Sequence, residues 1–252
     1  MIRLILAALF VVLFLIFSIF IWLGMWVLSL FTHKKYDLAS LRIVQWAFNV
    51  VAFIAGVKVE VHGEEMIPKD RPVLYIANHL GIFDVVVCYA RVPGLTGFIS
   101  KKEWKKIPLL GVWMNKLYCI FLDRDSIRDG MNMILQAIDY VKQGISIFIF
   151  PEGTRSRDRQ LGEFHPGSFK IATKTGCAIV PIAITGTSAI FEDHKPFLKK
   201  GKVIIRYGEP IETSALSVEE KKAVPALAHE QIMKMLAENE GRLITVAEGS
   251  QA

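Results

Sequence analysis

Cysteine is scarce: Cys88, Cys119 and Cys177 are the only three in 252 residues. They share no close metal-ligand spacing and sit in apolar or strand-like surroundings, so they read as reduced core thiols and not as a clustered metal site. Also missing are a G-x-S-x-G nucleophile elbow, a P-loop, a dinucleotide-binding fingerprint and an H-E-x-x-H zinc site. Their absence argues against a serine hydrolase, a P-loop NTPase, a dehydrogenase and a zinc protease. Net charge is +6 with a pI near 9.2, yet no basic run with interleaved aromatics accompanies it. Nucleic acid is therefore not the expected partner, whereas anionic lipid headgroups suit such a surface.

Charge itself is absent between Leu4 and Phe31, a stretch rich in Leu, Ile, Phe and Trp. At 1.5 Å per residue such a helix is long enough for a hydrocarbon core of about 30 Å. A signal peptide would have a shorter apolar region and a small-residue cleavage site. The flank His33-Lys34-Lys35 outweighs Arg3, which places the rest of the chain on the cytoplasmic face of the inner membrane. A second apolar stretch, Ile43 to Val57, is too short to cross comfortably. Its Arg42, Gln45 and Asn49 form one polar stripe, which suits a helix at the bilayer interface. Residues 1–56 thus read as a membrane-anchoring segment, an apolar helix over 4–31 plus an amphipathic helix over 39–56. Either the first helix spans and the second lies at the interface, or both sink into the cytoplasmic leaflet.

Residues 57–248 read as one catalytic domain in which apolar strands alternate with helices. Strands are expected at Val57–Val61, Val73–Ala77, Gly97–Ser100, Leu117–Leu122, Ile145–Phe150, Ala178–Ile184 and Lys202–Tyr207. A helix over Ser126–Gln143 places Ile127, Met131, Ile134, Ile138 and Val141 on one stripe, and another begins at Ser217 and runs towards Gly241, with Pro225 a boundary or kink. The fold class is α/β: a largely parallel mixed sheet flanked by helices, with an N-terminal membrane-embedded helical segment.

Two clusters carry the chemistry. Asn78-His79-Leu80-Gly81-Ile82-Phe83-Asp84 follows a buried strand, and Asp84 opens a helix, so its carboxylate can turn back to His79 as the partner of a general base. Phe150-Pro151-Glu152-Gly153-Thr154-Arg155-Ser156-Arg157 follows the most apolar strand. Gly153 lets the backbone approach a ligand, and the arginines and hydroxyls suit a phosphate. Both clusters leave parallel strands in the same direction, as do Lys101 and Arg124, so they are expected at one sheet edge. A base without a protein nucleophile implies that the substrate's own hydroxyl attacks.

These residues resemble the membrane-bound glycerolipid acyltransferases, most closely the bacterial 1-acyl-sn-glycerol-3-phosphate acyltransferases, over roughly residues 57 to 210. The N-H-x-x-x-x-D block is met by Asn78, His79 and Asp84, and the K-x-E and D-R elements by Lys101 to Glu103 and Phe121 to Arg124. The F-P-E-G-T-R-S block is met by Phe150 to Ser156, and the V-P block by Val180-Pro181-Ile182. Leu80-Gly81 departs from the Gln-Ser that many members carry there. The resemblance implies acyl transfer from acyl-CoA or acyl carrier protein to a lysophospholipid, giving phosphatidic acid, with no cofactor and no metal. His79 is then the base oriented by Asp84, and Lys101, Arg124, Glu152, Gly153, Thr154 and Arg155 form the phosphate side. Asn78, Pro151, Ser156, Val180 and Pro181 support the motifs, Glu152 orienting Arg155 or the glycerol. A backbone N–H near Gly153 or Gly81 would serve the oxyanion. The alternatives are another lysolipid acceptor, a thioesterase or lysophospholipase using the same pair, and a non-catalytic lipid-binding protein.

Overall fold

The computed structural model describes residues 1–32, 36–123 and 126–249; the basic flank at 33–35 and Arg124 lie outside them. The N-terminal apolar run forms α1 (Ile2–Thr32), followed by α2 (Asp37–Ala55). Arg3 Nη1 donates to the carbonyl of Ala55 at 3.3 Å, and Ser40 Oγ lies 3.7 Å from Met25 Sδ. The two helices are therefore an antiparallel hairpin. Most of α1 is bare: only 11% of its most apolar window is buried, against 44% for α2.

In the domain the order is β1 (Val57–His62), β2 (Val73–Ala77), α3 (Ile82–Tyr89), β3 (Thr96–Lys101), α4 (Leu110–Lys116), β4 (Ile120–Leu122) and α5 (Ile127–Lys142). Then come β5 (Ser146–Ile149), α6 (Lys170–Thr175), β6 (Ala178–Thr185), β7 (Gly201–Tyr207) and α7 (Val218–Gly249). Among the described residues seven strands make one sheet in the order β1-β7-β6-β2-β5-β3-β4. From β6 to β4 every neighbour is parallel, and β7, itself parallel to β1, pairs antiparallel with β6. The sheet is mixed and largely parallel, as its near-continuous apolar strands require when both faces are covered.

Alternation along the strands feeds two cores. Val73, Tyr75 and Ala77 face the layer made by α1 to α4, while Leu74 and Ile76 face α5, α6 and α7. Strands β2 and β5 are neighbours, yet β2 leaves into α3 on one face and β5 leads to α6 on the other. A crevice opens where adjacent strands send their connections to opposite faces, and ligands bind there in open α/β sheets.

Several expectations change in three dimensions. The strand expected at Leu117–Leu122 is only Ile120–Leu122, because Leu117 closes α4 and Tyr118 has φ +60. Helix α5 buries Met133, Ala137 and Val141, whereas Ile127 and Met131 are exposed. The spacing of four through a small alanine lets that face sit on the sheet. Helix α7 runs through Pro225 without a break and past Gly241; its Ser217 and Glu220 make reciprocal capping bonds. Two members of the polar stripe of α2, Arg42 and Gln45, bond the domain, while Asn49 is exposed and bonds the carbonyl of Gln45. Gln45 is buried and donates to the carbonyls of Tyr89 and Val92 at 3.2 and 2.8 Å, and Arg42 bonds Gln45 and the carbonyl of Pro93. Tyr89 closes α3, and Val92 and Pro93 lie just past it, where the helix supplies no further N–H, so Arg42 and Gln45 satisfy these carbonyls. Trp113 of α4 meets Phe14 and Trp22 of α1, completing the seam between hairpin and domain.

Candidate active site

The site is built at the ends of β2 and β5. Asn78, just past β2, hooks sideways onto β6: its Nδ2 donates to the carbonyl of Ile184 and its Oδ1 accepts from Ile184 N, at 2.9 and 2.8 Å. This two-way bond fixes where the chain leaves the sheet, and therefore where His79 begins. Three residues into α3, Asp84 turns back and is fully buried. Its Oδ2 accepts from His79 Nδ1 at 2.7 Å, from Leu80 N at 2.7 Å and from Gly81 N at 2.8 Å, and its Oδ1 accepts from the Thr187 hydroxyl. These donors replace the hydrogen bonds to water that a buried carboxylate gives up. With Asp84 acting as acceptor throughout, the proton sits on His79 Nδ1, and Nε2 is left as the basic nitrogen.

The ring of His79 is held in plane as well as in tautomer. It stacks on Phe150 with centroids 4.1 Å apart and planes 14° from parallel. Phe150 itself packs on the core shared with α1 to α4, so the imidazole lies on the side of the sheet that the apolar hairpin covers. The loop after β5 is tied to the same point, Ser156 N donating to the carbonyl of His79 at 2.8 Å. The two clusters predicted to converge are thus bonded backbone to backbone.

Glu152 does not orient Arg155. Its Oε1 accepts from His79 N at 2.7 Å and its Oε2 from Gly162 N at 3.0 Å, so it clamps backbone. Burial pushes its pKa up, and the bonds from His79 and Gly162 act against that rise. Arg155 is half-exposed, and its Nη1 donates to Glu192 Oε1 at 2.8 Å. The two glycines' own N–H groups are engaged, Gly81 N with Asp84 and Gly153 N with the carbonyl of Phe150 at 3.1 Å. Gly153 keeps its other expected property, a left-handed φ of +71, and an added Cβ would meet His165 at 3.1 Å.

Of the remaining candidates, Lys101 is exposed at the end of β3, at the same sheet edge, and Arg124 lies outside the described residues. Thr154 is exposed; the Ser156 hydroxyl bonds Asp158 instead of facing the base. Pro151 is buried. Val180 and Pro181 lie inside β6, beside Tyr75 and Ile76 of β2, beneath the site and not in it. The carbonyl of Pro181 accepts from Gly208 N just past the end of β7, where no strand N–H is needed, which is how a proline fits a central strand. Sequence reasoning missed Thr187 and Glu192. Thr187 could have been sought just after β6, the strand paired with β2; nothing local marks Glu192. The three cysteines are buried and free, and burial raises each thiol pKa, to about 11 for Cys119, so none is a poised nucleophile. Among the described residues no cluster of His, Cys, Asp and Glu has the grouping needed to hold a metal.

Comparison with known proteins bears on the family. A family model described as Acyltransferase matches residues 58–185. The 1-acyl-sn-glycerol-3-phosphate acyltransferase of Borreliella burgdorferi is 30% identical over 197 residues, which cover 78% of this chain and 79% of that protein. The chloroplastic 1-acyl-sn-glycerol-3-phosphate acyltransferase LPAT1 of Arabidopsis thaliana is 34% identical over 163 residues, 64% of this chain but only 46% of that longer protein. The crystal structure of the 1-acyl-sn-glycerophosphate (LPA) acyltransferase PlsC from Thermotoga maritima superposes with a TM-score of 0.75 at 28% identity, covering 94% of this chain and 98% of that one. With its family match spanning the strands that carry both clusters, the chain belongs to the acyltransferase family.

Proposed function

We propose that this acyltransferase moves a fatty acyl group from acyl-CoA or acyl carrier protein to the 2-hydroxyl of 1-acyl-sn-glycerol 3-phosphate, giving phosphatidic acid. The observation that carries it is the commitment of His79 Nδ1 to a buried, fully bonded Asp84, which leaves Nε2 as a base beside an arginine loop. His79 Nε2 takes the proton of the acceptor hydroxyl as its oxygen attacks the thioester carbon. Asp84 stabilises the imidazolium. The C–S bond then breaks, the sulfur leaves as a thiol after taking the proton from Nε2, and the new ester remains. Arg155, with Lys101 and Arg124, holds the phosphate so that the alcohol sits beside the base.

The bare face of α1 supports attachment to a membrane, and the basic flank at residues 33–35 is the argument for the inner membrane with the catalytic domain on its cytoplasmic face. Because α2 is pinned to α3 through Gln45, the hairpin reads as sunk into one leaflet alongside the domain. Lipid acceptors then reach His79 from the side of the sheet that the hairpin covers. His79→Ala is expected to lower acyl transfer by about 10²- to 10⁴-fold in protein that keeps its circular dichroism and melting temperature. Near-normal turnover in a folded variant would refute the base assignment. Measuring free fatty acid beside diacyl product, with donor and acceptor both present, separates transfer from the hydrolase alternative.

A further inference from the structure

Glu192 lies in the connection between β6 and β7, far from either motif in sequence, yet it joins them. Its Oε1 accepts from Ile82 N, the first N–H of α3, at 3.0 Å and from Arg155 Nη1 at 2.8 Å. Its side chain is only 13% exposed, against 43% for Arg155. Its Oε2 is buried without a hydrogen-bond partner. That oxygen lies over Gly81, the N-cap of α3, where a Cβ would come within 2.3 Å of it. The glycine has no side chain with which to cap the helix, and the glutamate from a distant loop occupies the space and provides the acceptor. The same helix carries Asp84, two residues after Ile82.

We propose that Glu192 is a positioning residue for acceptor recognition: it caps α3 in place of a Gly81 side chain and, with the same oxygen, holds Arg155 at a set distance from the helix that orients His79. The proposal rests on the reading of Arg155 as a phosphate ligand. Among the described residues, Nε and Nη2 of Arg155 have no partner, so an arginine tethered through Nη1 keeps donors for a phosphate. The burial of Glu192 fixes the tether, and a guanidinium already held by one nitrogen loses less rotamer freedom when the acceptor arrives. Glu192 acts through Arg155 and touches no reacting atom.

The test is steady-state acyl transfer to lysophosphatidic acid in mixed micelles, with melting temperatures, for Glu192→Ala, Arg155→Ala and the double variant. Glu192→Ala is expected to raise the acceptor KM about tenfold while kcat stays within about twofold, the pattern of lost ground-state binding. In the Arg155→Ala background the same substitution should add nothing to KM, since the tether has lost its load. Gly81→Ser combined with Glu192→Ala gives α3 a hydroxyl cap in the vacated space, and should recover the melting temperature while KM stays high. An unchanged or lower KM in Glu192→Ala beside a raised one in Arg155→Ala overturns the proposal alone. A further rise in KM in the double variant, or recovery of KM together with stability in the Gly81→Ser combination, does the same by reducing Glu192 to a cap. An unchanged KM in Arg155→Ala overturns the phosphate reading and this proposal with it.

Discussion

Asp84→Asn is the substitution that asks most of the site. It is isosteric, so the question is where the amide oxygen goes. Three N–H donors converge on Oδ2, from His79, Leu80 and Gly81, whereas among the described residues Oδ1 meets only the Thr187 hydroxyl. A hydroxyl can accept as readily as donate. The asparagine therefore keeps its oxygen at the position of Oδ2 and turns its NH₂ to Thr187, so His79 retains the tautomer with the proton on Nδ1. What disappears is the negative charge opposite the imidazolium that forms during transfer. A hydrogen bond to a charged group is worth about 1.5 to 3 kcal/mol, so kcat/KM should fall about 10- to 150-fold at 1.4 kcal/mol per factor of ten. That is less than removal of the base itself. The assay is initial-rate formation of phosphatidic acid by purified Asp84→Asn and His79→Ala proteins of matched circular dichroism. Activity within twofold of wild type would show that the buried charge does no chemistry. A loss equal to that of His79→Ala would show that the backbone donors do not hold the asparagine oxygen, because the base would then be in the wrong tautomer.

Thr187→Val removes the donor that Asp84 Oδ1 meets in a fully buried setting, and should cost about 1 to 3 kcal/mol in denaturant unfolding. The bond from His79 is on the other oxygen, so transfer activity is expected to persist; loss of activity without loss of stability would contradict this division of the carboxylate. Away from the site, bonds from Lys202 and His62 pull the Glu60 carboxyl down to about 2 from its ordinary 4.5. A depressed folded-state pKa contributes stability that is present above the unfolded value and is lost as pH falls through the folded one. The stability difference between wild type and Glu60→Gln should therefore be constant above about pH 5 and close between pH 4.5 and 2. It will be small, because the carboxylate is a third exposed and screened by water. Melting curves across that range check it, and a gap that widens on acidification would refute the sign.

The two chemistry-bearing loops were legible because each is a short, local signal. Pro72 and Asn78 bracket the apolar run Val73–Ala77, and Pro151 and Gly153 end the strand before them, so the strand exits could be placed without a fold. Helix α5 was legible as a helix from Ser126 and Gly144, but its buried face was not. Periodicity permits two overlapping stripes, and the sheet accepts the one through Met133 and Ala137, which brings the helix closest. In the same way Arg42, Gln45 and Asn49 could be seen as a stripe. That Arg42 and Gln45 answer the carbonyls of Tyr89, Val92 and Pro93 depends on how the helices pack.

Sequence alone determined the acyltransferase family motifs, the long apolar segment that precedes them and the direction in which both motif loops leave the sheet. These follow from residue type, spacing and the alternation of strands, which are local properties of the chain. Only the tertiary structure decided how the motif residues are held. Glu152 clamps the backbone of His79 and Gly162, Thr187 is the fourth donor to Asp84, and Glu192 holds both Arg155 and the first N–H of α3. Each of these partners is more than thirty residues from at least one group that it fixes. Hydrogen-bond geometry between residues that distant is set by the order of the strands, which no spacing within either motif encodes.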